Sequence, residues 1–204
     1  MKKNILFLML FIGLIFIFGC KGGPLGADPW SAQPVLDFPI AVPGLVQRLA
    51  AFGTPNWSGS EAHNGVDLVL NTTVASAKII APCKGTITKI EMKSNSFSHP
   101  PGQLLLTVEI MVSMDWQVSL NLEPGTTDEA LKTSQRDAIK VKVGQKVDTG
   151  TEIGTLLRGE QGYTHLHYMA IHMGKQICVY NVSSNEARAI FEAIGTASGT
   201  TACY

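Results

Sequence analysis

From residue 66 onward, short runs rich in Val, Ile, Leu and Thr alternate with breaks at Gly, Pro and Asn. The runs fall at 66–70, 78–81, 85–92, 104–111, 117–122, 139–143, 152–157, 164–171 and 176–179. Many short strands joined by turns predict a mainly β chain, a compact antiparallel sandwich or barrel. Thr86-Ile87-Thr88-Lys89-Ile90 alternates polar and apolar residues, as a half-buried strand requires. Two peripheral helices are predicted. One covers 127–138, and the other opens at Ser183-Ser184-Asn185-Glu186, a capping-box spacing, ahead of Ala187, Ala189, Ile190, Phe191 and Ile194. Gly195 is expected to end that helix and leave 196–204 as a tail of small residues. After Pro43, the helical spacing of Leu45, Val46, Leu49 and Ala50 predicts a short helix or turn before the first strand.

The N-terminal pattern is different in kind. Lys2 and Lys3 precede an apolar run over 5–18 that ends in Gly19-Cys20. The run is shorter than the roughly 20 residues a membrane-spanning helix needs, and a Gly- and Pro-rich segment follows it, so it reads as a secretory signal. Ile17-Phe18-Gly19-Cys20 resembles a bacterial lipobox, which implies cleavage after residue 19 and lipidation of Cys20. The expected organisation is a signal at 1–19, a tether at 20–42, a domain at 43–182 and a C-terminal helix and tail at 183–204. Acyl chains on Cys20 would anchor the protein to a membrane on the extracytoplasmic side of the envelope, at an outer membrane or cell surface.

Charge narrows the partners. The 16 basic and 16 acidic residues balance, and removing 1–19 takes away two lysines and no acid, leaving a formal charge of −2. Nothing here forms a basic patch for nucleic acid. Beyond Cys20 the chain holds Cys83, Cys178 and Cys203, an odd number in a compartment that permits disulfides. Pairing Cys178 with Cys203 would pin the tail to the domain, and Cys83 is expected to pack as a small buried apolar group.

Candidate chemistry sits in two clusters. His165 and His167 lie one residue apart in a predicted strand, so both imidazoles project from the same face while Leu166 and Tyr168 point into packing. His63-Asn64-Gly65-Val66-Asp67 places a glycine between a histidine and a carboxylate, so the backbone can bend and bring both to one point. Two histidines and an aspartate make a three-ligand zinc set that leaves the fourth tetrahedral position for water. His172 falls out of phase with this pair, and His99 lies in a Ser-Phe-Ser-His-Pro-Pro loop, so both are expected at the surface.

Together these segments resemble the lysostaphin and LytM family of zinc metallopeptidases. His63-Asn64-Gly65-Val66-Asp67-Leu68 is similar to the family's His-x-x-x-Asp motif, and Thr164-His165-Leu166-His167-Tyr168 to its His-Leu-His-aromatic motif. Ala81 to Ile87 and Val141 to Gly154 resemble its Ala-x-x-x-Gly-x-Val and paired-turn segments, in the family's order. The resemblance implies one Zn2+ held by His63, Asp67 and His167, with His165 as the catalytic histidine. It also implies an endopeptidase that hydrolyses the peptide bonds of peptidoglycan.

The sequence departs from that family at one chemical position. In the family a second catalytic histidine lies between the two zinc motifs, in a Tyr-x-His-Leu segment. Its counterpart here is Ser119-Leu120-Asn121-Leu122, so Asn121 stands where the histidine would. An amide donates or accepts hydrogen bonds toward substrate but exchanges no proton. In addition, 123–138 is longer than the usual connection, and Met169 or Ala170 stands where a Glu is often found. The alternative reading is therefore a catalytically impaired lipoprotein that binds peptidoglycan or activates a partner amidase.

Overall fold

The computed structural model describes residues 33–55, 61–95, 98 and 100–204. The signal segment 1–19, Cys20 and His99 lie outside these residues. In chain order the strands are β1 (Val46–Ala50), β2 (Val66–Leu70), β3 (Ser76–Ile80), β4 (Gly85–Asn95), β5 (Gln103–Met111), β6 (Trp116–Glu123), β7 (Lys146–Val147), β8 (Glu152–Leu157), β9 (His165–His172) and β10 (Lys175–Ile177). Two α-helices, α1 (Glu129–Asp137) and α2 (Asn185–Ser198), complete the set with two short 3-10 turns.

Eight strands form one antiparallel sheet in the order β1-β2-β9-β6-β5-β4-β7, with β10 added to β9, and β3 pairs with β8 in a second sheet. The mainly β, antiparallel architecture expected from the many short runs is the one the chain adopts. Leu68, Leu106, Val108, Leu120, Leu122, Leu166 and Tyr168 are all fully buried in the core. Because neighbouring residues of a strand face opposite ways, this packing sends Asp67, Asn121, His165 and His167 to the other face of the large sheet.

Local chemistry sets the helices. Asp128 caps α1 by accepting from the Ala130 amide at 2.8 Å. The buried Gln135 side chain then ties the helix to β8, donating to the Thr155 carbonyl and accepting from the Leu157 amide, each at 2.8 Å. In α2 the cap is Ser184, one residue later than the sequence pattern suggested, accepting from Ala187 N at 3.1 Å. Ser183 instead donates to the Val179 carbonyl. Phe191 of α2 meets Phe38 edge to face with ring centroids 5.1 Å apart.

Four expectations are corrected. Residues 46–50 form β1 rather than a helix, because their backbone pairs with β2; only Pro43–Leu45 makes a helical turn. Residues 139–143 are not a strand: Ile139 makes a single bridge to Gly154, and the chain then turns through Gly144 at φ 85°. Gly195 does not end α2. The helix continues to Ser198 and stops at the left-handed Gly199, while Gly195 lets the tail approach, since a Cβ there would lie 2.7 Å from the Thr200 carbonyl oxygen. Finally, the tether does not extend to 42. Leu36, Phe38 and Ile40 are core residues, and Leu36 bridges Ser183 while Ile40 bridges Ile79.

Candidate metal centre

The centre begins at the turn after β1. Gly53 N donates to the His63 carbonyl at 2.8 Å and His63 N donates to the Thr54 carbonyl at 2.9 Å, so the backbone of His63 is clamped beside Ala51. The Ala51 carbonyl accepts from His63 Nδ1 at 2.9 Å, which makes Nε2 the electron-pair nitrogen and points it inward. Asp67 enters from β2 and stands directly opposite His167 of β9, and Val69 stands opposite His165. Gly65 is demanded by proximity: a Cβ at that position would lie 2.6 Å from His167 Nε2.

His167 is fixed in the complementary way. Its Nε2 donates to Asn64 Oδ1 at 3.1 Å, so Nδ1 faces the centre. There, His63 Nε2, His167 Nδ1 and Asp67 Oδ1 converge, with separations of 3.2 Å between the two nitrogens, 3.2 Å from His63 to Asp67 and 2.6 Å from His167 to Asp67. Three electron-pair donors aimed at one point, each with its other polar atoms already engaged, are the chemistry of a cation site. Among the described residues these three are the group able to hold a metal ion, and all are buried.

His165 adjoins the centre without belonging to it. Its Nδ1 faces the Tyr163 carbonyl at 3.4 Å, and its Nε2 lies between two carboxylates, 3.7 Å from Asp67 Oδ1 and 3.6 Å from Glu123 Oε2. Burial alone would depress the His165 imidazole, but Asp67 and Glu123 outweigh it and push it up to about 9. Burial alone would likewise raise the Asp67 carboxyl. The charge of His165 and the close approach of the His167 and His63 rings instead hold it far below the usual carboxylate range.

Asn121 lies directly opposite His167 on β6, and its Oδ1 accepts from Ser119 Oγ at 3.3 Å. The long segment 123–138 stays away from the centre after Glu123, because Pro124 is tied to the loop before β9 by Thr164 Oγ1 at 2.7 Å and α1 rests on β8. Met169 lines the groove, whereas Ala170 faces the core. His172 lies in another environment, stacked on Trp116 at 4.2 Å.

Three groups at the centre escaped the sequence patterns. Glu123 is held by Asn95 Nδ2 at 3.0 Å and stands opposite His165. Tyr163 donates to Asp67 Oδ2 at 3.3 Å, and its ring lies 4.6 Å from that of His165. Asn64 orients His167 as described. Their positions two residues from Asn121, two residues from His165 and next to His63 were the available signals. All of these groups border an open groove of about 670 Å³.

No family model matches this chain, and no curated protein matches it. It is similar to several solved structures. A zinc-containing peptidase from Vibrio cholerae matches with 16% identity over 71% of this chain and 39% of that one, at a TM-score of 0.49. Csd3 from Helicobacter pylori matches with 19% identity over 72% and 34%, at 0.45. The catalytic domain of the prophage-encoded M23 protein EnpA from Enterococcus faecalis, in a mutant form, matches with 17% identity over 71% and 92%, at 0.45. The chain thus spans about two fifths or less of the first two structures and nearly all of the third. These are likenesses of strand arrangement, and the chemistry of this centre rests on its own residues.

Proposed function

We propose that this chain is a zinc-dependent endopeptidase that hydrolyses peptide bonds of bacterial peptidoglycan, anchored through Cys20 on the extracytoplasmic side of the envelope. The observation that carries the proposal is the convergence of His63 Nε2, Asp67 Oδ1 and His167 Nδ1 beside an open groove, with His165 next to them. Tetrahedral zinc, with ligand bonds of about 2.0–2.1 Å, separates its ligand atoms by roughly 3.3 Å. The observed separations are 3.2 Å on two edges and 2.6 Å on the third, so two need to open by roughly a tenth of an ångström and the third by roughly 0.7 Å.

When bound, zinc polarises the scissile carbonyl and makes a water nucleophilic at neutral pH. The remaining work falls to side chains. His165 Nε2 borders the groove and, in its protonated form, is placed to stabilise the developing oxyanion and deliver a proton to the leaving amine. Glu123 sits against the same ring and favours its protonated form, while the Tyr163 carbonyl holds Nδ1. The Tyr163 hydroxyl steadies Asp67, and Asn121 offers hydrogen bonds to a peptide in the groove without exchanging protons.

One observation favours the second reading, a zinc-holding protein that binds wall peptides or activates an amidase: the side chain opposite His167 is an amide and not an imidazole. Purified peptidoglycan separates the two. Release of new amino termini by the zinc-loaded chain, lost on chelation and in His167→Ala, supports the peptidase; retained zinc without release supports the binding protein. The anchor is tested by metabolic incorporation of a labelled fatty acid, expected in the wild type and absent in Cys20→Ala.

A further inference from the structure

Arg48, Val69, His165 and Glu123 occupy one row across β1, β2, β9 and β6, each the register partner of the next. The row crosses the groove with a cation at one edge and a carboxylate at the other. Arg48 is exposed, and its guanidinium lies over the Tyr163 ring, 5.3 Å from the centroid. That ring is itself fixed by its bond to Asp67 and its contact with His165, so the cation rests on a rigid platform.

Stacking on a ring leaves a guanidinium's planar fork of N–H donors available. The chain has four arginines. Arg158 is committed to the Val74 and Asn71 carbonyls, Arg188 to the Tyr180 and Asn181 carbonyls, and Arg136 to Asp137. Among the described residues no hydrogen bond or ion pair engages the Arg48 side chain. Apart from the imidazoles at the centre, the other charged residues of the groove, Glu61, Asp67 and Glu123, are acidic. Away from the converging donors and His165, Arg48 is the cation this groove offers an anionic group, with Glu61 and Glu123 opposing such a group elsewhere.

We infer that Arg48, seated on Tyr163, is a subsite for a single carboxylate of a peptide lying in the groove. A guanidinium fork matches a carboxylate through two parallel charge-assisted hydrogen bonds. Glu61 and Glu123 suit a peptide whose remaining groups are neutral or cationic. The carboxylate is either the peptide's C-terminus or that of an acidic residue within it. That the peptide is a substrate rests on the peptidase reading; that it is bound does not.

The test uses the zinc-loaded full chain and N-acetyl-L-alanyl-γ-D-glutamyl-L-lysyl-D-alanine in four forms: free, amidated at the glutamyl α-carboxylate, amidated at the C-terminus, and amidated at both. Affinities are measured by titration calorimetry, with the peptides checked for integrity by mass spectrometry. One of the two single amidations is expected to weaken binding to the wild type by about tenfold, which identifies the source of the carboxylate. Arg48→Gln is expected to abolish that difference while binding the doubly amidated peptide as the wild type does, and Arg48→Lys to keep part of it. Equal binding of free and doubly amidated peptides by the wild type, or an equal loss for both in Arg48→Gln, overturns the subsite. Hydrolysis of crosslinked peptidoglycan is followed separately. Preserved discrimination without hydrolysis refutes the peptidase and keeps the subsite, and hydrolysis without discrimination does the reverse.

Discussion

Asn121 and His167 face each other across the β6–β9 ladder, so the side chain nearest in register to a metal ligand is an amide. Replacing it tests whether proton exchange at that position limits turnover. Asn121→His puts an imidazole on the groove wall within an otherwise unchanged strand. It is expected to raise kcat for wall-peptide hydrolysis by about a hundredfold, the lower range for general acid–base assistance, with zinc content unchanged. Steady-state kinetics with metal analysis checks this, and a variant that holds zinc but is no faster shows that His165 suffices alone.

His165 and His167 differ in what they are expected to lose. His167→Ala removes a donor from the converging set and should abolish stoichiometric zinc. His165→Ala should keep the metal and lower kcat by roughly a hundredfold or more. Inductively coupled plasma measurement on both variants separates the roles. Loss of zinc from His165→Ala would make it a ligand rather than a proton carrier.

Much of this centre was legible in the sequence because it depends on short-range geometry. His165 and His167 share a face by strand alternation, and Gly65 permits the close turn between His63 and Asp67. The row that joins Arg48 to Glu123 was not legible, since it arises from pairing among four strands spread over more than half of the chain. Residues 46–50 read as a helix because apolar spacing in so short a window is ambiguous, and pairing with β2 decided the matter. The inclusion of 36–40 in the core was hidden for a related reason. Leu36, Phe38 and Ile40 alternate in a way that has meaning only once Ser183 and Ile79 lie beside them.

The pH dependence of the metal-free chain follows from His165. Its imidazole is pushed up to about 9 in the fold from an ordinary value of 6.5, so its proton is bound more tightly in the folded state. That contribution is fully present below about pH 6.5 and is lost as pH rises through about 9. The melting temperature in chelator should therefore fall between neutral pH and pH 10, by on the order of 5 °C, and the fall should be smaller in His165→Ala. Calorimetric scans across that range provide the check, and an identical slope in both proteins removes His165 as the cause.

Gly65 gives a steric test of ligand orientation. An added Cβ would lie 2.6 Å from His167 Nε2, 2.7 Å from its Cε1 and 2.8 Å from Met169 Cγ. His167 has to rotate, and its bond to Asn64 Oδ1 goes with it. Gly65→Ala is expected to lower zinc affinity by about 10- to 100-fold, the range for losing a group that orients a ligand. Chelator competition measures it, and unchanged affinity would mean that the imidazole finds the same geometry without Asn64.

The disulfide between Cys178 and Cys203 reaches the centre through the backbone. Phe52 N donates to the Ala202 carbonyl at 3.0 Å, and Tyr204 N donates to the Phe52 carbonyl at 2.8 Å, so the bridged tail lies along Phe52. Phe52 stands between Ala51, whose carbonyl orients the His63 ring, and Gly53, whose amide binds the His63 carbonyl. Closing a loop with a sequence separation of 25 contributes about 3 kcal/mol in the chain-entropy account. Exchange with the third cysteine is blocked in the folded protein. Cys83 is buried, and burial with the nearby Asp37 charge pushes its thiol up to about 12. The double variant Cys178→Ser, Cys203→Ser is therefore expected to melt roughly 5–10 °C lower. It should also bind zinc several-fold more weakly, because the turn that presents His63 is no longer pinned. Thermal melts and chelator competition on the same preparation decide the point. A lower melting temperature with unchanged zinc affinity would confine the bridge to stability and show that Ala51 and Gly53 hold His63 without the tail.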